Sequence, residues 1–303
     1  MTSGRKLNKG VLLIFLSTLM FGSYGVWSKL IGSSLGPLFQ GWTRGLVISI
    51  VLIPLLIYKK ELIPIKKKDW KWLAVFLVFT SFTQAPIFYA FTHMDIGSAS
   101  LLFFSTILLT MYIVGFAFLK EKVTKLKVVS FLLALLGLYT IFSFSLQKFT
   151  LLAALMAILN GIASGGEVSF SKKLSSTYSP LYITLMSWLI VVPTNGLLSV
   201  ALGEKQLLPS LELFWLWQLG YIIASLFAFW FVIEGLKYVE ASIGGLMGLL
   251  EVVFSITFGI LIFKESLTLR VGLGALFILL AASLPHVSSL LKKQFQITAA
   301  RVK

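Results

Sequence analysis

The chain contains no cysteine, which excludes disulfides and thiolate metal sites. It has two histidines, His93 and His286, which stand far apart near the ends of apolar stretches and do not read as metal ligands. Charge is scarce: 12% of the residues are charged, against about 25% in soluble domains. Acidic residues are the scarcest, 11 against 26 Lys and Arg. Enzyme signatures are absent as well. There is no P-loop, H-E-x-x-H or G-x-S-x-G, and Ser169-Phe-Ser-Lys172 matches S-x-x-K without its companion motifs. No cofactor or metal is expected.

What is present is apolar surface. Hydrophobic residues make up 58% of the 303 positions and the mean hydropathy is +0.95, the composition of an integral membrane protein. Ten stretches are long enough to cross a hydrocarbon core about 30 Å thick. They fall at 10–31, 37–57, 70–91, 96–119, 126–145, 151–171, 180–202, 213–236, 241–263 and 268–290. The connections between them leave no room for a soluble domain. Residues 5–21 imitate a signal peptide, but no A-x-A site follows, so they are read as an uncleaved first helix.

The formal charge of +15 is distributed by side, not by patch. With the N-terminus inside, twenty of the 26 basic residues fall on one side, from Arg5, Lys6 and Lys9 through to Lys292, Lys293, Arg301 and Lys303. Five fall on the other, at Lys29, Lys148, Lys205, Lys264 and Arg270, and Arg44 lies within a span. This bias places both termini in the cytoplasm. It accounts for the basic charge as topology, so no nucleic-acid partner is expected.

The chain also repeats itself. At an offset of 144, Gly115 falls on Gly259, Lys120 on Lys264, Glu121 on Glu265 and Thr124 on Thr268. At 143, Ser28 falls on Ser171, Lys29 on Lys172 and Pro37 on Pro180. Two units follow, 1–147 and 148–303, each with five helices. An odd number per unit means that the second enters the membrane from the opposite side. The expected fold is therefore an all-α membrane protein of ten transmembrane helices, two inverted-topology repeats around a central cavity.

The residues Tyr238, Ala241, Ser242, Leu246, Gly259, Leu261, Lys264, Glu265 and Thr268 form a pattern that resembles the EamA group of the drug/metabolite transporter superfamily. Gly97, Ser98, Ala99, Leu101, Lys120 and Glu121 carry a looser copy, and Phe21 to Lys29, Pro37 and Arg44 resemble the opening helices of that group. The resemblance covers essentially the whole chain and implies a ten-helix bundle of two inverted repeats, without naming a substrate. Two positions depart from it. Val252 follows Glu251 where the family often has proline, which leaves a break in the ninth helix open, and Phe21-Gly22 replaces Trp-Gly.

Helical spacing places polar residues on single stripes: Asn160, Ser164, Glu167, Ser171; Ser17, Phe21, Tyr24, Ser28; Gly244, Gly248, Glu251, Ser255; and Thr184, Ser187, Val191, Asn195 opposite Gly41, Arg44, Ile48, Leu52. Such stripes should face protein or a wet cavity, because lipid offers no hydrogen-bond partner. Glu251 inside an apolar span is a functional-site hypothesis by default. It either fixes helix register, or binds a cationic or zwitterionic group, or exchanges a proton. Glu167 and Glu234 are further acids, Glu234 either closing the aromatic wall of Phe227 and Trp230 or snorkelling to the interface. Arg44 either holds a substrate carboxylate or pairs with a lipid phosphate or a helix-end carbonyl. Gln84 offers a neutral hydrogen-bonding group. Gly161/Gly165 and Gly244/Gly248 either let helices pack closely or thin the wall beside the glutamates. Pro86 and Pro193 are expected to kink their spans, as gating points or as tolerated irregularities.

Taken together, the expected substrate-binding or coupling set is Glu251, Glu167, Arg44, Gln84, Asn160, Tyr24, Ser255, Trp230 and Glu234. The expected function is secondary transport of a small polar metabolite across a bacterial plasma membrane by alternating access, with or without proton coupling. The resemblance favours amino acids or related compounds and export. Expected partners are that substrate, membrane lipids and a second copy in a homodimer. The alternatives are a lipid or drug flippase of the same fold, an intramembrane enzyme, and a scaffold.

Overall fold

The computed structural model describes the backbone of residues 3–142 and 150–301 and the side chains of 5–142 and 150–285. The expected unit boundary at 147/148, Lys148, and the side chains of His286, Lys292, Lys293, Arg301 and Lys303 lie outside those residues.

The described chain is helical, without strands. The first apolar stretch forms α1 (Ser3–Gly22) and α2 (Tyr24–Ile31), the second α3 (Pro37–Tyr58), and the third α4 (Trp70–Ser81) and α5 (Ala85–His93). Then come α6 (Ile96–Ala117), α7 (Lys125–Phe142), α8 (Leu151–Leu174), α9 (Pro180–Ala201) and α10 (Leu213–Leu236). The ninth stretch is α11 (Ala241–Gly248) with α12 (Leu250–Phe263), and the last is α13 (Leu269–Arg301). Among the described residues nine segments have the length and hydropathy of a membrane span. The tenth apolar stretch lies in α13, whose residues Leu269–Pro285 are apolar.

Local chemistry sets the ends. Pro37 and Pro180 open α3 and α9, where a missing N–H costs nothing. The Thr150 and Ser179 side chains cap α8 and α9 by accepting from Ala153 N and Tyr182 N. Pro86 does not kink a continuous third helix; it opens a second one, α5, after a break at 82–84. Pro193 lies inside an unbroken α9, as Pro54 does in α3. The ninth stretch breaks at Leu249 without any proline.

Each major packing pair has a counterpart. α6 runs along α8 as α11 and α12 run along α1; α4 and α5 cover α8 as α10 covers α1; α3 pairs with α9, and α7 with α13. Moving every span forward by five reproduces the same set of pairs. The α3–α9 pair is antiparallel, since Gly41 meets Asn195 while Gly45 meets Trp188 and Val192. The α7–α13 pair is antiparallel too: Gly137 meets Ile278 and Gly274 meets Ile141. A large apolar cluster, with Ile48, Leu52, Phe170, Trp188 and Phe229, joins the α3–α9 pair to α8 and α10. A second, with Leu108, Leu138, Leu246 and Ile278, joins α6, α7, α11 and α13.

Candidate functional site

Between α3, the α4–α5 break and α9 lies a buried polar group in which Arg44 is central. Its side chain comes from the stripe of α3 that faces α9, and the residue is 3% exposed. The guanidinium stands 3.7 Å from the ring centre of Tyr221, with Trp188 at 5.8 Å and Tyr24 at 5.9 Å. One nitrogen, Nη2, donates to Gln84 Oε1 at 3.3 Å, and Asn195 Nδ2 donates to the same oxygen at 3.0 Å. Arg44 Nε and Nη1 are buried without a hydrogen-bond partner. No salt bridge to Arg44 occurs among the described residues. An unneutralised buried charge costs several kcal/mol even after relaxation, so this guanidinium is positioned to be answered by an anion. Cation–π contacts with the three rings offset part of that cost.

One turn away, α8 carries Glu167 to the same face of α9. Its Oε1 accepts the Ser187 hydroxyl at 2.6 Å, and the residue is 6% exposed. Thr80 of α4 lies within hydrogen-bonding reach of the carboxyl. Asn160, fully buried on the same stripe, donates to the Phe82 carbonyl at 3.0 Å, which the α4–α5 break has freed from its helix, while its Oδ1 stays unpartnered. The break at 82–84 thus serves the site twice. It exposes a carbonyl to Asn160 and sets Gln84 beside Arg44.

Glu251 stands apart from the Arg44 group. It is half-buried in the first turn of α12, with no hydrogen-bond partner among the described residues. The Leu249 break lies just before it, and a side chain added at Gly248 would meet nothing within 4 Å, so open space adjoins the acid. Tyr24 lies beside Arg44, its ring centre 5.9 Å from the guanidinium. Ser255 is exposed next to Gly25, so the expected inward stripe holds at Gly244, loosens at Gly248 and Glu251, and is lost at Ser255. Gly161, Gly165 and Gly244 are packing positions: an added Cβ would meet the Phe103 carbonyl, the Ile107 carbonyl and Leu236 at 2.6, 2.8 and 2.5 Å.

Glu234 and Trp230 do not join this group. Glu234 is held by Lys9 at 2.9 Å and Lys237 at 3.3 Å where α10 ends beside α1. With Trp230, Leu13, Lys59, Glu61 and Pro180 it lines a cavity of about 430 Å³ at the end of the bundle where α1 begins. That cavity touches none of Arg44, Gln84, Glu167 or Glu251. Sequence spacing placed Ser187 and Asn195 on the face that meets α3 but did not rank them, and it did not place Trp188. Tyr221 and Gln218 were missed. Gln218 donates to the Gln40 carbonyl at 3.0 Å and to Thr43 at 2.9 Å, one turn from Tyr221, and two polar residues three apart in an apolar span were the available signal.

The sequence model of the EamA-like transporter family matches this chain twice, at residues 8–143 and 151–284. The chain belongs to that family. Members of the EamA-like family are transporters, so the buried polar group belongs to a membrane transporter and not to an enzyme. A solved structure titled "Crystal structure of protein" superposes with a TM-score of 0.76 over 95% of this chain and 99% of its own, at 16% identity, which speaks for the fold alone. No curated protein matches.

Proposed function

We propose that this EamA-like protein is a secondary transporter that moves a small polar metabolite bearing a carboxylate, an amino acid or a related compound, by alternating access. The reading takes ten spans as two inverted five-helix repeats, 1–147 and 148–303, with both termini in the cytoplasm. The antiparallel packing of α3 on α9 and of α7 on α13 supports it, since helices related by an inverted repeat cross in opposite senses. The single observation that carries the substrate side is Arg44, a buried cation with two unpartnered nitrogens inside three aromatic rings. A carboxylate there would satisfy both charge and donors. Glu167 and Glu251 would then serve the amine of a zwitterion or carry a coupled proton, with export from a bacterial cell as the favoured direction.

The test uses purified protein in liposomes loaded with a mixture of amino acids and other polar metabolites under an imposed pH gradient. Selective efflux that Arg44→Gln abolishes and Arg44→Lys reduces supports the reading. Efflux unchanged in folded Arg44→Gln removes Arg44 from the site. Transfer of labelled lipid between leaflets, without efflux of any metabolite, would select the flippase alternative.

A further inference from the structure

α3 and α9 leave the bundle by the same turn. Lys60 (φ 55°) and Gly203 (φ 71°), 143 residues apart, both take the left-handed conformation. The next N–H turns back each time to the helix, from Glu61 to the Leu56 carbonyl at 2.9 Å and from Glu204 to the Ser199 carbonyl at 2.9 Å. Because the pair is antiparallel, each glutamate arrives where its partner helix begins: Glu204 beside Gly36-Pro37 of α3, and Glu61 beside Ser179-Pro180 of α9.

The two carboxylates then behave differently. Glu204 clasps α3, taking Leu38 N–H on Oε1 at 3.1 Å and Phe39 N–H on Oε2 at 2.6 Å, while Ser199 donates to Oε2 at 2.8 Å. A carboxylate on the free N–H groups of a first turn is favourable for both hydrogen bonding and the helix dipole. Glu61 makes no such clasp. Its Oε2 is buried without a partner, and it lines the 430 Å³ cavity with Lys59, Pro180 and Leu181. Tyr182 N–H, the counterpart of Phe39 N–H, goes to Ser179 Oγ at 3.2 Å. The residue before the proline explains the difference. A Cβ at Gly36 would stand 2.3 Å from Glu204 Cδ, so the clasp requires glycine there, whereas Ser179 fills that space and supplies the bond itself.

Near their middles the two helices touch closely, with the Trp188 carbonyl 2.8 Å from where a Cβ on Gly45 would lie. Stiff helices pivoting on such a contact close one end as they open the other. We propose that Glu61 and Glu204 are paired gating residues. In the state described, Glu204 holds one end of the α3–α9 pair shut while the Glu61 end gapes around the cavity. In the opposite state Glu61 clasps the first turn of α9, Ser179 gives way, and Glu204 lets go of α3.

The proposal rests on the transporter reading, and its test needs no substrate, so the two can fail separately. Since the chain has no native cysteine, Leu13→Cys in the cavity wall gives a single site for a maleimide. Glu204→Gln and Gly36→Ser weaken the closed clasp and should slow labelling by about tenfold, the scale of a lost charge-assisted bond. Glu61→Gln should speed it or leave it at its maximum. Ser179→Gly, a mild change at an N-cap, admits Glu61 and should slow it. Slower labelling in the Glu204 and Gly36 variants with faster or unchanged labelling in Glu61→Gln, in protein that still elutes as a folded species, supports the gate. Effects of the same sign, or unaltered labelling in both Glu204→Gln and Ser179→Gly, overturn it.

Discussion

Glu121 and Glu265 stand at matching corners, after α6 and after α12. In each the preceding lysine is left-handed, Lys120 at φ 58° and Lys264 at φ 54°. In each the glutamate N–H returns to a glycine carbonyl, Gly115 at 2.9 Å and Gly259 at 3.2 Å. The side chains nevertheless have different fates. Glu121 is 8% exposed and receives Ala241 N–H, Ser242 N–H, the Ser242 hydroxyl and Lys172 Nζ, so it caps α11 and ties α6 and α8 to it. Glu265 pairs with Lys29 at 2.9 Å, with more than half of each side chain exposed. The lysines are themselves counterparts at an offset of 143. One local motif therefore yields a buried junction in one place and a solvated ion pair in the other, and the difference lies in which helix start is brought against it.

The largest expected contrast comes from neutralising each acid. Glu121→Gln leaves Lys172 and the first turn of α11 without their anion and should cost about 3–5 kcal/mol. Glu265→Gln should cost about 0–1 kcal/mol, as for other exposed pairs. Thermal melting in detergent reads both, and equal losses would erase the distinction.

Acid should reproduce the contrast more gently. Burial alone would raise the Glu121 carboxyl, but the Lys172 ammonium and the N–H groups of Ser242 and Ala241 outweigh it and hold it below the ordinary 4.5. A depressed pKa contributes stability that is fully present above the unfolded value, about 4.3, and is lost as pH falls through the lower folded value. The melting temperature of the native chain should therefore drop more steeply below pH 4 than that of Glu121→Gln; parallel profiles would argue against a charged Glu121.

Glycine substitution sharpens the comparison further. A Cβ on Gly115 would lie 2.8 Å from the fixed Glu121 carboxylate, and one on Gly259 would lie 2.5 Å from a Glu265 side chain free to swing into solvent. Gly115→Ala should cost about 1–3 kcal/mol and Gly259→Ala less, although its static contact is the shorter. Smallest of all is Lys29→Ala, about 0–1 kcal/mol and screened by salt; a loss as large as that of Lys172→Ala would show that the exposed corner is buried in the membrane.

Much of this molecule was legible from its residues. Gly41, Arg44, Ile48 and Leu52 and their partners Thr184, Ser187, Val191 and Asn195 were placed on facing stripes by spacing alone, and all eight are buried. Three of the ten apolar stretches are broken, at Ser23, at 82–84 and at Leu249; the residues announced a kink near Pro86, left the ninth stretch open and said nothing of Ser23. Only one break has a nearby proline to announce it. The others depend on packing, as at Gly22, where an added Cβ would lie 3.0 Å from the Glu251 carbonyl. Glu251 attracted attention as a charge within a span and is half-buried, with no hydrogen-bond partner among the described residues. Glu61, in a polar loop, drew none and lines the cavity.

Composition and period encode a membrane chain, its apolar stretches, the facing stripes of α3 and α9, and a repeat at an offset of 143 to 144. Those properties follow from side chains and from neighbours a few residues away, so they are readable in order along the chain. Only the tertiary structure decided which copy of each repeated residue is used. Glu121 is buried and Glu265 exposed, Glu204 clasps and Glu61 does not, and Arg44 meets no carboxylate among the described residues. Each depends on what a distant helix brings within 3 Å, and on whether the facing position is a glycine or a serine.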